Sequence, residues 1–212
     1  MDYPLPGYRA TLIKQADVCA GDVLLGYAEI TSGEDQAQPL GYSHVAIALA
    51  EQRVLEATTS GVAIVTMEKL LEDYEHLAVL RSPGLWGAER VQRLEHFARS
   101  QSGKPFNTQG MGRVPDRKEK HSADLMEKVP KFFDGTYTPP PPDQRSYFCS
   151  QLVVAAFIDA DCISDAGSIA LSPKVISPSD IGEDKTFGFF VGYVTRSDRY
   201  EVPLQDHFRR FL

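Results

Sequence analysis

Residues 147–160 read Tyr-Phe-Cys-Ser-Gln-Leu-Val-Val-Ala-Ala-Phe-Ile-Asp-Ala, and the fold turns on them. The segment is apolar nearly all round, which marks a helix buried at the centre of a domain rather than one lying on its surface. The four prolines Pro139 to Pro142 stand just upstream. A proline ring cannot continue a helix backwards, so the helix begins near Cys149. A thiol placed there feels the positive end of the helix dipole and backbone N–H groups that lack an intrahelical acceptor. Both favour the thiolate, the nucleophilic form, and the same N–H groups can hold the oxyanion of a tetrahedral intermediate. The plainer reading of Cys149, as a small apolar core residue, fits its position less well.

Working outward from this helix, the upstream half reads as sheet. Ala20-Gly21-Asp22 is a turn feeding the apolar strand Val23-Leu24-Leu25, and a polar loop runs from Thr31 to Leu40. Ser43 to Ala50, Arg53 to Thr58 and Val62 to Thr66 follow at hairpin spacing as an antiparallel meander, with Ser60-Gly61 as one turn. Met67, Leu70, Leu71 and Tyr74 recur at helical spacing, Leu77 to Arg81 is a further strand, and a helix over Gly87 to Gln101 is stopped by Gly103 and Pro105. From about 110 to 145 the chain turns charged and then Pro-rich, which predicts an irregular insertion acting as a lid or binding loop. Phe187 to Thr195 and Arg199 to Pro203 close the chain as strands. The order predicts one α+β domain over residues 1–212, an antiparallel sheet packed against the buried helix that starts at Cys149.

Two residues in the meander are unusual for their strands. His44 opens an apolar strand, as a satisfied structural group or as a base at the sheet edge. Glu56 interrupts Val54-Leu55-Glu56-Ala57, where a carboxylate is costly unless paired. If the loop around Glu51 has an odd number of residues, the two share a face: directly opposite with five residues, diagonal with three. An even number would separate them. A solvent-facing Glu56 is the competing reading. Together Cys149, His44 and Glu56 supply a nucleophile, a base and an orienter for thiol acyl transfer. His76, His96, His121 and His207 lie in charged or helical surface contexts and are weaker candidates.

The 212 residues are 42% hydrophobic and 24% charged, with a formal net charge of −7 and a pI near 5.2. That balance argues against a nucleic-acid backbone as partner. Three scattered cysteines, Cys19, Cys149 and Cys162, fit neither a disulfide framework nor a closed zinc site. No glycine-rich phosphate loop and no short-spaced metal-ligand pair occurs around the candidates, so no cofactor is expected. The start MDYPLPGYRATLIKQADVC carries no charged-then-apolar leader, which predicts a cytoplasmic protein.

These pieces, in this order, resemble the circularly permuted NlpC/p60-type papain-like amidases of the YiiX/YaeF group. The matching segments are Gly21-Asp22-Val23-Leu24-Leu25, Ser43-His44-Val45-Ala46-Ile47, Val54-Leu55-Glu56-Ala57 with Gly61-Val62, Gly103-Lys104-Pro105-Phe106-Asn107, Tyr147 to Val153, and Ser177-Pro178-Ser179-Asp180. Where relatives tend to show Pro-Tyr-Asp, this chain has Pro105-Phe106-Asn107, without the phenol and the carboxylate. The resemblance implies a permuted papain-like fold, catalytic roles for Cys149, His44 and Glu56, and hydrolysis of an amide in a small peptide or peptidoglycan fragment through a thioester. Two alternatives remain. One is a lipid acyltransferase or phospholipase on the same fold, with Lys118, Lys120, Lys128 and Lys131 offered to a membrane. The other is a non-catalytic binding module.

Overall fold

The computed structural model describes residues 10–27, 41–197 and 199–211. The loop expected from Thr31 to Leu40 and the first nine residues lie outside these. Six strands form one sheet: β1 (Val23–Tyr27), β2 (Tyr42–Ala48), β3 (Arg53–Thr58), β4 (Gly61–Thr66), β5 (His76–Arg81) and β6 (Phe189–Thr195). The α-helices among the described residues are α1 (Met67–Asp73), α2 (Ala88–Gln101), α3 (Thr108–Gly112), α4 (Val114–Phe133), α5 (Cys149–Asp159), α6 (Asp165–Ala170) and α7 (Pro178–Glu183). Strand order is β4-β3-β2-β1-β5-β6, and every neighbouring pair is antiparallel.

Alternation along the strands explains why both faces are covered. Val23, Leu25, Val45, Ile47, Leu55, Ala78 and Leu80 point to one side, where Leu94 and Phe97 of α2 and Leu152, Val153 and Phe157 of α5 meet them. Leu24, Ala46, Val54, Leu77 and Val79 point to the other, against Met67, Leu70 and Leu71 of α1. Every residue of α5 from Cys149 to Phe157 is buried, as expected of a helix apolar on all sides. Among the described residues no helix is long and apolar enough to cross a membrane.

The Gly21-Asp22 turn is a structural device. Asp22 is buried and takes two hydrogen bonds from Arg81, Nε at 2.9 Å and Nη2 at 2.6 Å, and one from the Cys19 N–H at 2.8 Å. Gly21 has φ +90°, and a Cβ there would meet the Trp86 ring at 2.2 Å. The closing Ser177–Asp180 segment is likewise a capping box that starts α7.

Two expectations are corrected. The segment from 110 to 145 is not irregular throughout, because α4 occupies twenty of its residues. Its charges pair along the helix, Asp124 with Lys128 and Glu127 with Lys131 at i, i+4. Pro115 sits in the first turn, where a missing N–H costs nothing. Only Val114 of α4 is buried, so the apolar periodicity that would announce a helix is weak. The second correction is Arg199 to Pro203, which forms no strand among its described residues.

Candidate active site

The β2–β3 connection settles how His44 and Glu56 stand to each other. Ile47 pairs with Leu55 and Ala48 with Val54, and the Leu49 N–H donates to the Arg53 carbonyl. Three residues, Ala50 to Gln52, therefore make the turn. In this register Glu56 stands opposite Ala46, one diagonal step from His44 on the same face. The His44 Nε2–H donates to Glu56 Oε2 at 2.9 Å, and the two residues are only 6% and 7% exposed. The loop has the odd count that same-face placement requires.

Pairing of β2 with β3 stops at Ile47 and Leu55. Continued by two residues, the ladder would bring Val45 opposite Ala57, but the strands part there. The N-terminus of α5 lies at this opening, and the Val45 N–H donates to the Cys149 sulfur instead. The Ser150 N–H donates to the same sulfur, as an orphan donor in the first turn of a helix can. Phe148, in extended conformation with φ −99° and ψ 167°, caps the helix. Strand, turn and helix start are thus superposed on one atom.

The thiol is also hydrogen-bonded to His44. Since Glu56 occupies Nε2, the ring nitrogen left for Cys149 is Nδ1. Burial opposes ionisation of Cys149, but the His44 hydrogen bond and charge, with the two backbone N–H groups, outweigh it and hold the thiol below its ordinary range. Burial likewise opposes protonation of His44. The hydrogen bonds to Cys149 and Glu56, and their negative charge, prevail and raise its pKa to about 9. Both shifts favour the thiolate–imidazolium pair over the neutral one.

Tyr74 covers this pair. Its ring stacks on the imidazole, centroids 5.2 Å apart and planes within 5°. Gly26 faces His44 across β1–β2, and a Cβ there would strike the Tyr74 ring at 2.8 Å. The missing side chain of Gly26 is what lets the ring lie flat. In the sequence Tyr74 reads as the last apolar position of α1, and nothing in its spacing signals the stack.

The other histidines do not join the site. His76, expected at the surface, is fully buried among Tyr42, Asp206 and Tyr200. His121 bonds the Ala170 carbonyl at 3.0 Å. Cys19 is exposed, while burial pushes the Cys162 thiol up to about 11. Among the described residues no group of three or more His, Cys, Asp or Glu side chains could hold a metal ion. Asn107 caps α3, accepting from the Gly110 N–H at 2.8 Å. Its backbone N–H donates to the Tyr147 carbonyl at 2.9 Å, while the Tyr147 N–H donates to the Pro105 carbonyl at 3.1 Å. The Gly103–Asn107 motif thus anchors the approach to α5.

A search of solved structures gives metalloprotein YiiX from Escherichia coli O157:H7, with 15% identity, a TM-score of 0.44 and coverage of 83% of this chain and 87% of that one. No curated protein sequence matches. Residues 17–112 match the model of a family described as permuted papain-like amidase enzymes, YaeF/YiiX, C92 family. That segment holds the strands of His44 and Glu56, and Cys149 lies downstream of it. Over residues 17–112 the chain is thus similar to the permuted papain-like amidases of the YaeF/YiiX, C92 family.

Proposed function

We propose that Cys149 is the nucleophile, His44 the general base and acid, and Glu56 the residue that orients His44, in hydrolysis of an amide through a thioester. One observation carries the reading: a buried cysteine at the first residue of a helix, hydrogen-bonded to a histidine that is itself held by a carboxylate at 2.9 Å. The thiolate attacks the carbonyl carbon, and the Cys149 backbone N–H, free of intrahelical bonding at that position, faces the developing oxyanion. Imidazolium His44 protonates the leaving amine. Neutral His44 then takes a proton from water, which attacks the thioester and releases the acid and the free thiol. A peptide or a peptidoglycan fragment supplies the amide.

The test is site-resolved alkylation by iodoacetamide against pH, with Cys162 as internal reference. Cys149 should react fast well below the ordinary thiol pKa of about 8.5, and should lose that reactivity in His44→Ala. Turnover should vanish in Cys149→Ala. A Cys149→Ala protein with full activity ends the proposal.

A further inference from the structure

Two ionisable side chains that the proposed mechanism leaves aside, His76 and Asp206, are fully buried. A buried ion pair returns little net stability, because taking both charges out of water offsets their attraction. Its geometry is the more informative property. The two oxygens of Asp206 divide their donors. Oδ1 accepts from the Tyr193 hydroxyl of β6 and from the Phe208 N–H of the C-terminal segment. Oδ2 accepts from the Tyr42 hydroxyl of β2 at 2.7 Å and from the His76 Nε2–H of β5 at 3.2 Å. Tyr27 of β1 stacks on the His76 ring, centroids 4.5 Å apart and planes 16° from parallel, and meets the Tyr42 ring edge-on at 5.8 Å. The Tyr200 hydroxyl lies 3.1 Å from His76 Nδ1.

Oδ2 thus grips the two segments from which the candidate site hangs. On β2, Tyr42 pairs with Tyr27 and His44 with Gly26, so Ser43 between them is an extra, exposed residue in a bulge. A bulge re-aims the side chains beside it: Tyr42 faces the α5 side of the sheet, whereas His44 faces the α1 side under Tyr74. Pairing of β2 with β3 begins only at Ile47, so the stretch from Tyr42 to Ala46 has a ladder on its β1 edge alone. On β5, His76 pairs with Tyr27, and Tyr74 precedes it by two residues. Glu75, between them, donates its N–H to the Tyr27 carbonyl at 3.2 Å. We infer that Asp206 is a positioning residue of the active site, which through Tyr42 and His76 sets where the His44 ring and its Tyr74 cover stand against Cys149. The inference rests on Cys149 and His44 as the catalytic pair. The C-terminal segment thereby becomes a control point, since undocking it frees both segments at once.

The experiment compares Tyr42→Phe, which removes a donor to Oδ2, with Tyr193→Phe, which removes a donor to Oδ1 and so loosens the same carboxylate away from β2. Alkylation of Cys149 by iodoacetamide is followed against pH, and nitrogen NMR titration of the His44 ring gives a second readout that needs no reactive thiol. In Tyr42→Phe the onset of alkylation should rise by about one pH unit, roughly tenfold in rate at a fixed acid pH, as when one charge-assisted hydrogen bond is weakened. The His44 midpoint near 9 should fall with it. Tyr193→Phe should lose comparable stability in denaturant unfolding and keep the wild-type onset and midpoint. Asp206→Asn should shift both at least as far as Tyr42→Phe does, and Tyr42→Phe keeps the test decisive if that variant does not fold. Equal shifts in Tyr42→Phe and Tyr193→Phe overturn the inference, because general loosening then explains them. An unshifted Tyr42→Phe overturns it as well. If wild-type Cys149 alkylates no faster than Cys162 while the His44 midpoint still moves in Tyr42→Phe alone, the nucleophile falls and the positioning of His44 stands.

Discussion

At the scale of single residues the site is a balance between burial and hydrogen bonding. Burial opposes the thiolate of Cys149 and the imidazolium of His44, and each is countered by the other and by fixed donors or acceptors. This sets the expected pH profile. Cys149, depressed, becomes productive as pH rises through its lowered pKa. In the proposed mechanism His44, raised, supplies the imidazolium that protonates the leaving amine until pH passes about 9. The profile of kcat should therefore be flat across neutrality and fall on the alkaline side near pH 9. In His44→Ala the main opponent of burial is gone, so the acid onset of alkylation should move to higher pH. Glu56→Gln keeps an acceptor for Nε2–H but removes its charge. We expect partial activity, down roughly 10- to 100-fold, with the alkaline limb shifted to lower pH. An unchanged limb would show that Glu56 only fills space. His44 and Glu56 were legible in the sequence because each breaks an apolar strand, and Cys149 because prolines end and a helix begins beside it. Tyr74 and Gly26 were not, since an apolar helix position and a strand glycine have commoner uses.

At the scale of elements, the site exists because two strands part. Had β2 and β3 stayed paired past Leu55, the Val45 N–H would have been spent on the ladder, and α5 would have had no opening to enter. The register that places His44 beside Glu56 depends on Ala50 to Gln52, where Glu51 and Gln52 both have positive φ, 59° and 57°. Glycine adopts that conformation without the steric cost of a Cβ. Gln52→Gly should raise stability by about 0.5–1 kcal/mol in denaturant unfolding, with kcat unchanged. The cover over His44 responds the other way. Tyr74→Ala should lower kcat about tenfold and widen the pH dependence of Cys149 alkylation, because the imidazole loses its stack and is opened to water. Gly26→Ala, which drives a methyl into the same ring, should act in the same direction. Tyr74→Phe keeps the ring and should restore wild-type kinetics. Loss of activity in Tyr74→Phe would mean the hydroxyl, not the stack, matters. The antiparallel meander of β2, β3 and β4 could be foreseen from alternation and turn residues. The helix α4 could not, because it is held by charge pairs on an exposed surface and leaves almost no apolar period to read.

At the scale of the whole molecule, the C-terminal segment is tied back to the sheet by one buried carboxylate. Asp206 accepts from Tyr42 at 2.7 Å, Tyr193 at 2.5 Å, His76 at 3.2 Å and the Phe208 N–H at 3.0 Å. These donors come from β2, β6 and β5, so one side chain joins three strands to the end of the chain. No sequence pattern announces the cluster, because its members are spread over 160-odd positions and each reads as an ordinary strand or surface residue. Burial raises the Asp206 pKa, but the hydrogen bonds from His76, Tyr193 and Tyr42 prevail, and the net direction is down. A depressed carboxyl adds stability that is present above its unfolded value of about 3.9 and lost as pH falls through the lower folded value. Asp206→Asn should therefore destabilise the protein at pH 7 by about 3 kcal/mol, the cost of leaving buried donors unmatched. The gap to wild type should narrow in denaturant unfolding as pH drops below about 4. The site lies at β2 and β3, and Tyr42 stands two residues from His44 on β2. A gap that stays constant from pH 7 to pH 3 would mean that packing of the segment, rather than the ionised carboxylate, carries the stabilisation.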